Sequence, residues 1–474
     1  MRQPGVRNAT VVLALGVVVT ATGCASSVDS PVASTSCERP RIAHSAITQN
    51  STNALSVFVT ATAQQSDSVI VRFGANAVID SATPAFVATG DSAFVPLLGL
   101  VPSTSYEAQL IAFNSCGSSA SQSMTFVTGT LPPDLPTYST LGTAASPGFV
   151  VFAAASYGVV IDNSGRVVWY RRFPNGPGLN FQAQPDGQYA ARPPASAGET
   201  GNWVEINIRG EIARTVGCSH GYPSRMHDMI AEPDASYWLL CDETRTMDLS
   251  AQGESSRARV LGTNVQHRGA NGDSLFEWSP FDHFQVDVSV LQTADRSLPV
   301  INWTHGNALD LDRDGNLLVS FRNLSEVTKI DIRTGDVLWR LGGQKNQFVF
   351  DDAPGPVFVG QHGVRATGAG QVTLLDNLGQ PGGSRAERYV VDDVRRAARL
   401  IGSFSAPVGI VGQIGGSTQS LPDGHTLVSF GNGNAVQEYD ARGDVVWRIV
   451  GSSGYIFRAQ RIRSLYRPGV GDPR

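Results

Sequence analysis

One pattern recurs along this chain and limits its fold more than any other feature. An apolar strand runs into an Asp, a turn follows, often with Gly, and a second apolar strand ends close to Trp or Arg. It reads "VIDNSGRVVWY" up to Tyr170, "INIRGEIAR" up to Arg214 and "GDSLFEW" at Gly272–Trp278. It returns as "IDIRTGDVLWRLG" at Ile330–Gly342, "VDDVRRAARLIG" at Val391–Gly402 and "YDARGDVVWRIVG" at Tyr439–Gly451. A companion motif precedes most of them: "PDGQYAAR", "PDASYWLLCDE", "DRDGNLLVSFRN", "GAGQVTLLDN", "PDGHTLVSFGN". Each pair makes most of a four-stranded antiparallel sheet. Six units over about 335 residues give roughly 55 residues each, the size of a propeller blade with loops and too long for a solenoid coil. The expected fold is all-β, a six-bladed β-propeller, with five or seven blades as alternatives. The 50 glycines and the 16% charged content agree with many turns and few long helices. A net charge of −5 gives no reason to expect nucleic acid.

Ahead of the repeat, residues 37–130 alternate in short strands such as "LSVFVTATA", "SVIVRFG" and "SYEAQLIAF", which suits a small β-sandwich. "GLVPSTSYEAQLIAFNSCGSS" resembles the fibronectin type III (Ig-like) pattern, with Tyr106 in the place of its tyrosine corner. "LPPDLP" then reads as a stiff linker over 131–137, leaving 138–474 to the propeller. At the other end, Arg2 and Arg7 precede an apolar run from Val11 to Ala21 that is too short to span a bilayer. It ends "ATGC", which resembles a bacterial lipobox. Residues 1–23 are therefore expected to be a signal peptide of lipoprotein type, Cys24 a lipidated first residue, and 24–36 a flexible tether. Ordinary cleavage is the alternative. Either way the chain is expected to be exported and, with the lipid, held at a membrane in the periplasm or at the cell surface. In an oxidising compartment the other four cysteines fit two pairs, Cys37 with Cys116 and Cys218 with Cys241. A chain without bridges is the alternative.

Three repeat units carry polar clusters near their first strands. "RMHDMIAEPDASYWLLCDE" supplies His227 and Asp228. "NWTHGNALDLDRDGNLLVSFRN" supplies His305, Asn307 and Arg322. "VGQHGVRATGAGQVTLLDN" supplies Gln361, His362, Arg365, Asp376 and Asn377. In a propeller the first strands converge on one axis, so equivalent positions from different blades meet despite their sequence separation. Any single His is most simply a hydrogen-bonded structural one. Three at matching positions suggest a site.

"W-x-H-x-N", then a strand ending "S-x-R", then "IDxxTGxxxWRLGG", then "QH", then "DN" resembles the bacterial arylsulfotransferase family, and "YIFRAQRIRSLY" is similar to its C-terminal ending. The resemblance covers about 138–474. It implies an exported six-bladed propeller. The implied reaction moves a sulfuryl group from a phenolic sulfate ester to a phenol, through a sulfated histidine, with no nucleotide donor and no cofactor. Carried over by position, it makes His362 the nucleophile. His305 and Asn307 would contact the sulfuryl or phenolic oxygens, with Asn377 beside the substrate. Arg322 becomes the charge-stabilising guanidinium and His227 the remaining catalytic imidazole.

The chemistry asks for the same groups. Sulfuryl transfer, like phosphoryl transfer, spreads charge over three equatorial oxygens, and fixed donors stabilise it. A guanidinium stays charged at any working pH. Neutral imidazole is a nucleophile near neutrality, and a covalent intermediate divides one difficult transfer into two. His305 or His227 is expected to move the phenolic proton. Three positions depart from the family pattern: Asn302 stands for a common Asp, Asn323 for a common His, and Leu378 intervenes after "DN".

Other signals carry less. "DLDRDG" lacks the bidentate Glu of a calcium loop, since Phe321 stands there. No HxH or HxxxH pair supports a zinc site, so no metal is expected. Trp169, Trp278, Trp339 and Trp447 fall at equivalent places and are expected between blades. His44, His220, His267, His283 and His425 lie outside the pattern, with His425 expected in solvent. A non-catalytic surface-anchored binding propeller and a His/Arg hydrolase or lyase are the competing functions.

Overall fold

Strand follows strand throughout the computed structural model, which describes residues 37–474 apart from 196–200, 352–357, 369, 380–382 and 451–453. The expected signal peptide, the lipidation of Cys24 and the tether fall on residues 1–36 and lie outside the described residues. Arg41–Gln49, Val57–Gln64 and Ser92–Leu97 form one sheet, and Ser68–Ala75 and Ser105–Asn114 centre a second. Alternate side chains turn inward: Val57, Val59 and Val95 from one sheet, Val69, Val71, Ala108 and Leu110 from the other, all buried in one cluster. Tyr106 stacks on Phe126 at 5.5 Å, and its hydroxyl accepts the Val101 N–H at 2.9 Å. The proline-rich stretch is packed: Leu135 is buried with Leu55 and Phe152.

Among the described residues, six further sheets lie between Ser139 and Ile462. Their first strands are Phe181–Ala183, Ser224–Ala231, Gly306–Leu311, His362–Gly368, Ser417–Ser420 and Ala459–Ile462. Hydrogen bonds link each to the next. Gln182 Nε2 reaches the Met229 carbonyl at 3.0 Å, and Arg225 Nε the Gly306 carbonyl at 3.0 Å. Asn307 Nδ2 reaches the Gln361 carbonyl at 2.6 Å, and the Gly415 N–H faces His362 Nε2 at 3.3 Å. Ser417 Oγ reaches the Ala459 carbonyl at 3.3 Å, and the Ala183 N–H returns to Gln460 Oε1 at 2.9 Å. This closed circuit makes the region an all-β propeller. Ala459–Ile462 pairs with Phe149–Ala154, and Ser139–Leu141 with Val445–Val450, so early and late strands share two sheets.

The tryptophans sit between sheets as expected, each almost wholly buried. Trp169, Trp278 and Trp447 donate their indole N–H to turn carbonyls of a neighbouring sheet, at Ile208, Gly335 and Asn163. The repeated Asp-turn-Trp pattern is thus a docking device, one blade's ring on the next blade's turn. Cys218 and Cys241 form a disulfide with Cα atoms 6.1 Å apart. Cys37 and Cys116 are each disulfide-bonded as well. In "DLDRDG" the ammonium of Lys329 takes the place of a cation, 2.6 Å from Asp312 and 2.7 Å from Asp314.

Asp228 ties the ring together. It is wholly buried and lies 3.0 Å from Arg365, 2.7 Å from Arg458 and 3.7 Å from Arg474. It also accepts the Leu309 N–H at 3.2 Å. Burial alone pushes its carboxyl pKa up, but the Arg365, Arg458 and Arg474 guanidiniums hold it well below the usual carboxylate range. Removing one member of such a set leaves buried charge uncompensated. Asp228→Asn is expected to lower the unfolding free energy by about 3–5 kcal/mol, read from urea denaturation followed by tryptophan fluorescence.

Candidate active site

Two of the six first strands carry His227 and His362, His305 directly precedes a third, and those three have broken register with their neighbours. The shift lies between Ser224 and Met229 around His227, between Gly306 and Ala308 beside His305, and between His362 and Arg365. The pairings of the other three first strands run unbroken. A bulge re-aims the side chains beside it, and here the three re-aimed imidazoles converge. The His227 ring lies 5.0 Å from His305 and 6.5 Å from His362. Phe457 stands edge-on to two of them, 5.6 Å from His227 and 6.2 Å from His362. His305 adopts a left-handed backbone, φ 50, which a branched or bulky side chain takes only under constraint.

The orientation of His362 follows from Asn377. The Asn377 Nδ2 group donates to the carbonyls of Gly412 at 2.6 Å and Gly415 at 2.8 Å. Its Oδ1 is thereby turned to His362 Nδ1, 2.8 Å away. An amide oxygen only accepts, so Nδ1 carries the hydrogen and Nε2 keeps its lone pair, which accepts the Gly415 N–H at 3.3 Å. The Gly360 carbonyl, 3.2 Å from Nδ1, reinforces that tautomer. Gly415 must be glycine: at φ 71 an added Cβ would meet Tyr455 Oη at 2.5 Å.

The cluster is largely buried and surrounded by guanidiniums. Burial, with the Arg322 charge, pulls the His362 pKa down to about 4, against the upward pull of Asn377 and Gly360. Burial first, then Arg225, lowers His227 and His305 well below the imidazole value. All three rings are therefore neutral near pH 7. Arg458 is buried too. Desolvation brings it down to about 10, so it stays charged. Its Nη1 binds Asp228 and Gln182 at 2.7 Å each. Its Nε and Nη2, Arg322 Nε, Asn307 Oδ1 and His227 Nδ1 are buried with no hydrogen-bond partner among the described residues. The three guanidinium N–H groups among them are buried donors, costly unless a ligand takes them up.

The structure brings His227, His305 and His362 together, within electrostatic reach of Arg322 and with Asn377 behind His362. Asn307 is adjacent, its amide held by Gln361. Asp228, Arg365, Gln361 and Asp376 serve the frame. Asp376, for example, receives the N–H groups of Val359 and Gly379 and pairs with Arg385 at 3.0 Å. His267 and His283 stack on Trp238 and Trp278. His425 corrects one expectation: it is mostly buried, with Nδ1 2.8 Å from Glu438. Sequence reasoning passed over Arg225, Phe457, Arg458 and Gly415. "YIFRAQRIRSLY" holds two of them, but nothing in its spacing shows that the strand crosses the axis.

Fold and site together define a propeller whose centre is lined by three imidazoles beside buried guanidinium nitrogens. The sequence profile of the arylsulfotransferase (ASST) family matches residues 214–452, just over half of the chain, and the chain belongs to that family. Among solved structures, a protein of unknown function from Bacteroides caccae is 13% identical over 67% of this chain and 100% of its own, with a TM-score of 0.44. A streptogramin B lyase is 10% identical over 67% of this chain and 85% of its own, with a TM-score of 0.38. An inactive virginiamycin B lyase from Staphylococcus aureus with quinupristin is 10% identical over 65% and 86%, with a TM-score of 0.35. No curated protein sequence matches the chain.

A pH consequence follows from the lowered imidazoles. The unfolded chain binds a proton at His362 near pH 6.5, the folded chain only near 4, so stability falls as pH drops through that window and is full above it. Urea titrations at several pH values are expected to show this slope, and His362→Gln to make it shallower.

Proposed function

We propose that the chain is an aryl-sulfate sulfotransferase that works through a sulfated His362 and needs no nucleotide donor. The observation that carries this is the His362 tautomer: Nδ1–H held by Asn377, Nε2 bearing a lone pair, the ring neutral and buried. A nucleophile needs that state, and a purely structural histidine does not.

The steps follow from the groups around it. The anionic sulfate ester enters between Arg322 and Arg458, whose unused guanidinium N–H groups supply fixed stabilisation of the equatorial oxygens. Phe457 offers an apolar edge to the aryl ring. Nε2 bonds to sulfur as the sulfur–oxygen bond to the aryl group breaks, and the phenol departs. A second phenol then takes the sulfuryl group from His362, so donor and acceptor use one pocket in turn. The basic and apolar N-terminal segment ending at Cys24 supports an exported, lipid-anchored protein acting in the periplasm or at the cell surface, where two disulfides persist.

Incubation with a chromogenic aryl sulfate, with and without added phenol, tests the reading. Phenol-dependent release is expected. Release by water alone would indicate a hydrolase, and no release a binding propeller. His362→Asn is expected to abolish turnover in a protein that still folds, and Arg322→Lys to cost about 10²–10³-fold in kcat.

A further inference from the structure

His305 is gripped differently from His362, and the difference divides the chemistry between the two remaining imidazoles. Asn302 Nδ2 lies 3.0 Å from Asp295 Oδ1 and 2.8 Å from His305 Nδ1. A carboxylate only accepts, so the NH₂ end of Asn302 must face Asp295. Its second hydrogen then points at His305 Nδ1, which must be the bare nitrogen. The proton of the neutral ring sits on Nε2, on the edge away from Asn302. Turning the amide over would set its oxygen against the Asp295 carboxylate, acceptor against acceptor. The rest of the clamp is fixed as well. Asn323 Nδ2 holds the Asn302 carbonyl at 2.7 Å, and Asn323 Oδ1 takes Arg322 Nη1 at 2.8 Å. Arg322 is 4.0 Å from Asp295. The charged and titratable groups facing His305 are Asp295, Arg225, Arg322, His227 and His362. His227 has no such grip: its Nδ1 is buried without a hydrogen-bond partner among the described residues.

We propose that Asp295 and Asn302 are positioning residues that lock His305 as the Nε2–H tautomer, so that His305 gives the phenolic oxygen a hydrogen bond while His227 carries its proton. A neutral imidazole that gave up Nε2–H would become an imidazolate, which nothing here stabilises, so the locked ring is a donor and not an acid. The inference rests on the transferase reading above. In the donor half-reaction the His362 nitrogen–sulfur bond forms and the sulfur–oxygen bond breaks. The electron pair stays on the aryl oxygen, which accepts the His305 hydrogen bond and a proton from His227. His227, neutral in the unliganded protein, holds that proton as an imidazolium only while the anionic sulfuryl group is bound beside it, having taken it from the previous acceptor or, before the first turnover, from water. In the acceptor half, the phenol gives its proton to His227 and its oxygen bonds to sulfur. The nitrogen–sulfur bond breaks and its pair returns to His362.

Nitrogen NMR of the histidine-labelled full chain tests the lock directly, with His305 assigned by the signal lost in His305→Gln. The expected spectrum has the proton on Nε2. A proton on Nδ1 would overturn the proposal, and this readout does not depend on activity. Asn302→Asp places an acceptor at Nδ1 and is expected to move the proton there. For the division of roles, the donor half-reaction is timed with aryl sulfates whose phenols differ in acidity. His227→Gln is expected to slow weakly acidic leaving groups by about 10²-fold or more while sparing strongly acidic ones. His305→Gln is expected to slow all of them more evenly. A steeper dependence in His305→Gln than in His227→Gln would overturn the assignment. Loss of phenol-dependent transfer by the wild-type protein would sink the transferase reading instead, leaving the NMR result standing.

Discussion

Everything at the axis depends on one carboxylate. Asp228 draws three guanidiniums from distant parts of the chain, Arg365, Arg458 and Arg474, and takes a backbone N–H from the Gly306–Leu311 strand. Strands that diverge in sequence are thereby held within reach of each other at the centre. The residue beside it on the same strand, His227, faces the other imidazoles. One dipeptide thus contributes a structural charge and a site residue. Arg458 links the two, since its Nη1 serves Asp228 while its other nitrogens are unused. The frame therefore delivers positive charge to the site through Arg458.

The three imidazoles are chemically distinct although their rings are the same. Burial makes all of them neutral at working pH. What separates them is which nitrogen each neighbour commits. Asn377, pinned by two carbonyls, offers His362 an acceptor and leaves it nucleophilic at Nε2. Asn302, pinned by a carboxylate, offers His305 a donor and leaves it protonated at Nε2. Two asparagines with opposite ends presented give two opposite tautomers. A bound aryl sulfate would meet a lone pair from one ring and a hydrogen from another.

Much of this was legible before any coordinates. The Asp-turn-Trp repeat encodes blade docking, and the tryptophans sit where that repeat put them. His227, His305 and His362 were found because repeat-equivalent positions converge at a propeller axis. The bulges that aim two of them left a trace that was not read: a glycine follows the histidine at Gly306 and at Gly363, and an isolated glycine in a strand pattern is a bulge signal. Arg225 and Arg458 were not visible, because their roles depend on which blade lies across the channel. In the sequence, Asn302 and Asn323 stood out only as departures from the family pattern. In the structure they are consecutive parts of one clamp with Asp295 and Arg322. Asp295 itself lies in a short helical turn, Thr293–Arg296, whose placement beside Asn302 no local pattern announces.

The claim on which the account turns is that Nε2 of His362 bonds covalently to sulfur. Rapid mixing of the protein with an aryl sulfate in the absence of phenol, followed by an alkaline quench and peptide mass analysis, measures it directly. The account predicts the added mass of one sulfuryl group on the peptide containing His362, removed when a phenol is supplied before the quench. An unmodified His362 peptide during active transfer, or the added mass on His227 or His305 instead, would contradict it.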